Sequence, residues 1–339
     1  MAADHRKWLS ALGLAAVALA SACGDGTIDA GRDYPHGSLP VDERNPVILA
    51  NDGATDNWLG EYAMLLANSG GPPLAGIIVN PSTYWQDLSS SLTAWNDMIM
   101  AARTSGLRNI PDATSSPGSP LMPPTDGKIE STRPNKSAGA TLIVELSARL
   151  SLPWRPVVIV TGSRLTDVAD AYLMDPTVVQ RVVVVASLGS SSANGGGTMG
   201  WPNGELDAWA DWIVGQRFRY VQVNGFYDQL SDLPPAANLP ANDFGAWMAA
   251  KASKLFQIPM ASDQIAVLAV GLPDFVTPTT VVQATVDPAA TFDSTTGPPL
   301  LPQAGGHVWI APSCGGAMAG ERLRQMLQDP RTFEQSAGK

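Results

Sequence analysis

From Pro46 onward, short apolar runs bounded by turn residues alternate with longer stretches whose apolar positions recur at helical spacing. Val47-Ile48-Leu49-Ala50 has the continuous apolar character of a parallel strand buried on both faces, and Leu74 to Val79 reads the same way. Between them Leu59, Tyr62, Ala63 and Leu66 fall at i, i+3, i+4 and i+7, one face of a helix. The pattern predicts further helices over Tyr84 to Arg103, around Ala140 to Ala148, over Leu165 to Leu173, Glu205 to Gly215 and Phe244 to Leu255. Strands are expected at Val157 to Val160, Val182 to Val185 and Tyr220 to Val223. The Pro/Ser/Thr-rich residues 111–135 read as surface loop. Gln264 to Val270 is apolar throughout, and its pattern suits a helix and a strand equally. Beyond Gly271 the pattern weakens, with a strand at His307 to Ile310 and a last helix at Met318 to Leu327. There is no internal repeat. Strands alternating with helices imply an α/β fold: a mostly parallel sheet covered by helices on both faces. Ligands of such sheets bind beyond the carboxyl ends of the strands, here the loops after Ala50, Val79, Val160 and Val185.

The first 44 residues do not follow this rhythm. His5, Arg6 and Lys7 precede an apolar run of 15 residues, Trp8 to Ala22, too short to span a bilayer and laid out as an export signal. Leu19-Ala20-Ser21-Ala22-Cys23-Gly24 resembles a bacterial lipobox, with Ala20 where leucine is usual. The expected organisation is a signal peptide over 1–22, a lipidated tether over 23–44 beginning at Cys23, and a domain over 45–335. An ordinary signal peptide cleaved nearby is the alternative, and export holds in either case. The protein is thus expected to be anchored in a membrane on its periplasmic or cell-surface side.

The chain has 339 residues, 45% of them hydrophobic, which is enough for a large core. Its formal net charge is −10; the first 22 residues hold two basic groups and one acidic one, so their loss leaves −11. An acidic surface without a basic run argues against nucleic acid as a partner. Only Cys314 accompanies Cys23, so stability is expected from packing rather than an intrachain disulfide.

The first strand-end loop reads Asn51-Asp52-Gly53-Ala54-Thr55-Asp56-Asn57. Taken alone, Asp52 suits a turn and Asp56 a helix N-cap. Three later features point to chemistry at the same end of the sheet. The second strand ends in Asn80, the next in Thr161-Gly162, and Asp263 opens the apolar segment at 264. The Gly/Ser/Asn-rich stretch Ser190 to Gly200 suits a mobile cover and matches no phosphate-binding fingerprint. No zinc spacing and no Gly-x-Ser-x-Gly elbow is present.

Over residues 46–270 these features resemble the inosine-uridine-type nucleoside hydrolases. That family's Asp-x-Asp-x-Gly-x-Asp-Asp motif stands here as Ala50-Asn51-Asp52-Gly53-Ala54-Thr55-Asp56-Asn57, and its Gly-Asn as Val79-Asn80. Its Gly-Pro-Leu-Thr-Asn turn stands as Gly162-Ser163-Arg164-Leu165-Thr166-Asp167, followed by Asp175-Pro176. Its Glu-Phe-Asn stands as Glu205-Leu206-Asp207 with Asp211 beyond, and its late His-Asp as Ser262-Asp263. The specificity lies in the order and spacing of the matches rather than in any one of them.

The resemblance implies a calcium ion bound by Asp52, Asn57, the Thr161 main-chain carbonyl and Asp263, hard oxygen donors suited to that cation. It implies Asp56 as the general base acting on water, and Asn80, Asn194, Glu205 and Asp207 as hydrogen-bond partners of the ribose hydroxyls. The implied reaction cleaves the N-glycosidic bond of a nucleoside or related ribosyl compound through an oxocarbenium-like transition state. Several positions depart from the family pattern. Ala50 and Asn57 each lack an expected carboxylate, Ser262 replaces a histidine that assists departure of the base, and Asp207 adds a charge where Asn is usual. These departures suit a second reading, a catalytically weakened lipoprotein that captures a nucleoside or sugar, and a third in which only the fold is kept. His307 reads as an ordinary strand histidine. Tyr84, Trp85, Trp201 and Tyr227 lie in loops near the expected mouth, where an aromatic can stack on a base. Members of the family commonly form oligomers, but no homo-oligomer interface is readable in this sequence.

Overall fold

The computed structural model describes residues 38–53, 59–82, 85–187, 203–223, 239–255, 263–272, 274–276, 280–295, 297–311, 316–329 and 332–333. Among the described residues nine strands form one sheet: β1 (Val47–Asn51), β2 (Leu74–Val79), β3 (Ala113–Ser115), β4 (Val157–Thr161), β5 (Val182–Ser187), β6 (Arg219–Val223), β7 (Val282–Val286), β8 (Leu300–Pro302) and β9 (Val308–Ala311). Their order across the sheet is β3-β2-β1-β4-β5-β6-β9-β7-β8. Every pairing from β3 to β9 is parallel, whereas β7 runs antiparallel to both β9 and β8. The helices are α1 (Leu59–Asn68), α2 (Leu88–Thr104), α3 (Ala138–Leu150), α4 (Thr166–Met174), α5 (Ala208–Arg217), α6 (Asp243–Leu255), α7 (Gln264–Gly271) and α8 (Gly316–Gln328). Among the described residues no helix is long and apolar enough to cross a membrane.

The Val/Ile-rich runs become strands because side chains on both faces are buried, and successive residues enter opposite cores. Val47 and Leu49 of β1 pack with α1, α2, α7 and α8, whereas Ile48 and Ala50 pack with α3, α4 and α5. The same alternation holds in β4, where Val158 and Val160 share the α1/α7 side, and Val157 and Ile159 share the α3/α4 side. Caps set several helix starts. Asp87 accepts from the Ser90 amide at α2 and Ser137 from the Ala140 amide at α3, each satisfying an otherwise orphaned N–H.

The structure revises several expectations. The stretch 264–270 is a helix, buried along its whole length. Residues 111–135 contain the edge strand β3 and a 3-10 turn, Ile129–Ser131, within what the composition reads as loop. The helix expected from Tyr84 begins at Leu88, and the one expected from Glu205 splits into a 3-10 turn, Asn203–Asp207, followed by α5. The hairpin of β7 and β8 was not foreseen. Leu39 and Val41, in the stretch read as tether, are buried in the α1/α7 core, so that segment packs onto the domain before β1 begins. Asn45 fixes its end by donating to the Pro156 carbonyl at 2.8 Å.

Candidate functional site at the carboxyl ends of β1 and β4

Strand order reverses between β1 and β4, the two strands that lie side by side in the middle of the 3-2-1-4-5-6 run. This is the crevice where open α/β sheets accept ligands. Asp52 leaves the end of β1, buried; its carboxylate accepts the Gly53 amide at 2.7 Å and the Ser82 hydroxyl. Its main-chain carbonyl accepts the indole N–H of Trp95 at 3.2 Å, so backbone and side chain are both fixed. Burial pushes the Asp52 carboxyl above its ordinary range, against the pull of those hydrogen bonds and, more weakly, of Arg164.

Asp263 reaches the same edge from the other side of the sequence. It stands where an N-cap residue of α7 would, yet its side chain makes no capping bond. Its carboxylate instead lies against Gly162, where an added Cβ would sit 2.4 Å from the Asp263 Cγ, and it accepts the Asn203 amide at 3.2 Å. Gly162 directly follows Thr161 and donates its N–H to the Ala50 carbonyl at 3.1 Å. The ends of β1 and β4 and the start of α7 are thereby tied into one edge. Asn203 also donates to the Ser187 carbonyl at 3.0 Å, which fixes it over the end of β5.

A polar network fills the α3/α4 side beneath this edge. Asn80 uses both ends of its amide, donating to Asp167 at 3.1 Å and accepting the Ser163 hydroxyl at 2.8 Å. Asp167 also accepts the hydroxyls of Ser116 at 2.6 Å and Ser137 at 2.7 Å. Gly139 makes room for this carboxylate, since a Cβ there would lie 2.6 Å from its Cγ. Asp207 accepts the Thr166 hydroxyl at 2.6 Å and the Leu121 amide at 2.8 Å, and caps α5 through the Ala210 amide at 3.0 Å. Arg164 is buried among these groups and donates to the Gly118 carbonyl. Burial lowers its pKa, while Asp167, Asp207 and Asp52, in that order, counter the shift. Burial likewise raises the carboxyls of Asp167 and Asp207.

Of the residues expected at the site, Asp52 follows β1, Thr161 ends β4, and Asp263 lies against Gly162, the residue after Thr161. Asn80 and Asp207 lie close by, but their polar atoms are engaged in the internal network. Asp56, Asn57 and Asn194, with Ser262, Cys23, Tyr84, Trp201 and Tyr227, lie outside the described residues, and of Glu205 only the backbone is described. Trp85 is at the mouth: its indole lies over Gly53, where an added Cβ would be 2.7 Å away. His307 hydrogen-bonds the Gly215 carbonyl at 2.8 Å, away from this edge. Asn203, Arg164, Ser82 and Asn51 were not anticipated. The Arg164 insertion in the turn after β4 is the one signal that could have drawn attention to any of them. Among the described residues, no three His, Cys, Asp or Glu side chains converge as a metal-ligand group.

No sequence-family profile and no curated protein matches the chain. Its fold is that of the nucleoside hydrolases. The inosine-uridine preferring nucleoside hydrolase from Bacillus anthracis superposes with a TM-score of 0.57 at 15% identity, over 84% of this chain and 99% of that one. A plant nucleoside hydrolase gives 0.54 at 15% identity, covering 84% and 99% of the two chains. A nucleoside hydrolase-related protein from Saccharophagus degradans, associated with carbohydrate metabolism, gives 0.55 at 14% identity, covering 86% and 73%.

Proposed function

We propose that this protein is a hydrolase of the N-glycosidic bond of nucleosides or related ribosyl compounds, exported and held at a membrane through a lipid on Cys23. The observation that supports the reading is the strand-order reversal between β1 and β4, where buried Asp52 follows one strand and buried Asp263 lies against Gly162 at the end of the other. Burying carboxylates without a compensating cation is costly. Calcium fits the donors present, which are hard oxygens: the Asp52 and Asp263 carboxylates and the Thr161 carbonyl, with Asn57 as the fourth residue. When bound, it supplies a fixed positive charge that orients the sugar diol and acidifies the attacking water.

The chain's own residues then divide the work. Asp56 takes a proton from the water, whose oxygen forms a bond to the anomeric carbon as the bond to the base nitrogen breaks. The electron pair of that bond departs with the base, which takes up a proton from solvent. Ser262 holds the position of the family's assisting histidine and is no acid near neutral pH, so bases that leave readily are the expected substrates. Acidic groups around the sugar favour the positive charge that develops on the ring. Trp85, over Gly53, offers an aromatic face at the mouth.

The test is release of p-nitrophenol from its riboside by calcium-loaded protein. Asp56→Ala is expected to lower kcat by at least about 100-fold, the usual scale of a lost general base, with the melting temperature unchanged. Full turnover in that variant removes the base assignment, and no turnover in the native protein removes the reaction. A second reading, capture of a nucleoside or sugar without cleavage, is favoured by one observation. The polar atoms of Asn80 and Asp207 are already engaged within the protein. Calorimetric binding of ribose or a nucleoside, with no base released over many hours, supports that reading.

A further inference from the structure

Asn51 is the last residue of β1 and is buried, 1% exposed. Its amide nitrogen has a long contact of 3.4 Å to the Gly53 carbonyl, and its amide oxygen has no hydrogen-bond partner. An unpaired buried polar atom is costly, on the order of 1–3 kcal/mol, and calls for a group that supplies positive charge or a donor. Strand alternation says where that oxygen lies. Val47 and Leu49 face the α1/α7 core, so Asn51, two residues on, faces the same side. In β4, Val158 and Val160 face that side, and Gly162 follows them at the same spacing. The register pairs Ala50 with Thr161, so the next step sets Asn51 beside Gly162, a neighbouring-strand separation of about 5 Å.

The Asp263 carboxylate occupies the side-chain space over Gly162. The unpaired amide oxygen of Asn51 and the carboxylate of Asp263 are therefore neighbours on one face of the sheet, two buried acceptors side by side. Adjacent acceptors repel unless a cation or a donor lies between them. We propose that the Asn51 amide oxygen is a further ligand of the divalent cation bound by Asp263, adding an oxygen to a site that lacks carboxylates at Ala50 and Asn57. The inference rests on the calcium reading above and concerns a residue outside the ligand set that the family resemblance implies. Neutral amide oxygens are regular calcium ligands, and ligand charge and number set the affinity.

The experiment is isothermal titration of calcium chloride into chelator-treated full-length protein, alongside the melting temperature without calcium. Asn51→Leu keeps the bulk and removes the oxygen. It is expected to weaken calcium binding by about tenfold or more while leaving the calcium-free melting temperature unchanged or raised, because the unpaired amide is gone. Asn51→Asp, which adds a charge at the same point, is expected to tighten binding. Native protein that binds calcium with the same affinity as Asn51→Leu overturns this inference alone. Native protein that binds none overturns the calcium reading and this inference with it. If Asn51→Leu does not fold, Asn51→Asp decides, and unchanged or weaker binding there rejects the ligand role.

Discussion

At Gly162 the missing side chain is a steric requirement of the neighbouring carboxylate. An alanine methyl would lie 2.4 Å from Asp263 Cγ, and the obstructing group is the short, buried side chain of a residue at the start of a helix. Gly162→Ala must therefore displace Asp263 or the first turn of α7, at a cost of about 1–3 kcal/mol by the usual scale of overpacking. Urea unfolding in the presence of chelator reads this as a lower midpoint with an unchanged slope, and under the proposed calcium role of Asp263 a calcium titration is expected to show weakened binding. An unchanged midpoint would show that the carboxylate has another place to go. Gly162 and Asp263 were legible because residue type and spacing survive in the sequence. Asn203 and Asn51 were not: an Asn in a loop and an Asn at a strand end look ordinary until packing gives one the Asp263 carboxylate as acceptor and leaves the other's amide oxygen buried and unpartnered. Asp207 was legible as a position but not as a role, since a sequence does not reveal that three internal donors claim its oxygens.

Whether an element could be recognised depended on its surroundings. The valine-rich strands announced themselves because sequence-local burial on both faces leaves a continuous apolar run. The helix α7 did not, since a helix buried all round shows no amphipathic period, and only its packing against α1 and the sheet identifies it. The short β3, β7 and β8 lie toward the sheet edges, where half-exposed residues carry little pattern. At the start of α5, Asp207 joins three parts of the chain: the helix itself, the loop at Leu121 and Thr166 of α4. Asp207→Ala removes the cap, worth about 1 kcal/mol, and strands a buried amide and hydroxyl at about 1–3 kcal/mol. The expected loss is roughly 2–4 kcal/mol in chemical denaturation, with Asp207→Asn milder because its oxygen still caps. A purely ligand-binding Asp207 would instead leave stability nearly unchanged on truncation.

For the whole molecule, buried carboxylates make the calcium-free fold sensitive to pH in a direction opposite to ordinary acid denaturation. Burial, the largest influence on Asp167, holds its carboxyl above the ordinary value of 3.8 despite hydrogen bonds from Ser116, Ser137 and Asn80 and the charge of Arg164. The folded state therefore keeps its proton to a higher pH than the unfolded state does. By linkage, the contribution of Asp167 to stability is fully present below pH 3.8 and is lost as pH rises through the raised folded value. Asp207 acts in the same direction, while Asp87, Asp126 and Asp175, whose carboxyls are lowered by local hydrogen bonds, act in the other. The overall profile mixes these contributions, so the test is a difference. Asp167→Asn fixes the uncharged form; its oxygen can still accept from Ser116 and Ser137, and the Asn80 amide can turn over because the Ser163 hydroxyl both donates and accepts. The melting temperature of Asp167→Asn relative to the calcium-free native protein should rise as pH climbs above 3.8 and level off once the folded native carboxyl has ionised, since the variant does not ionise. A constant difference across that range would mean that Asp167 carries its charge in the folded protein at no cost, with the Arg164 guanidinium and three hydrogen-bond donors outweighing burial.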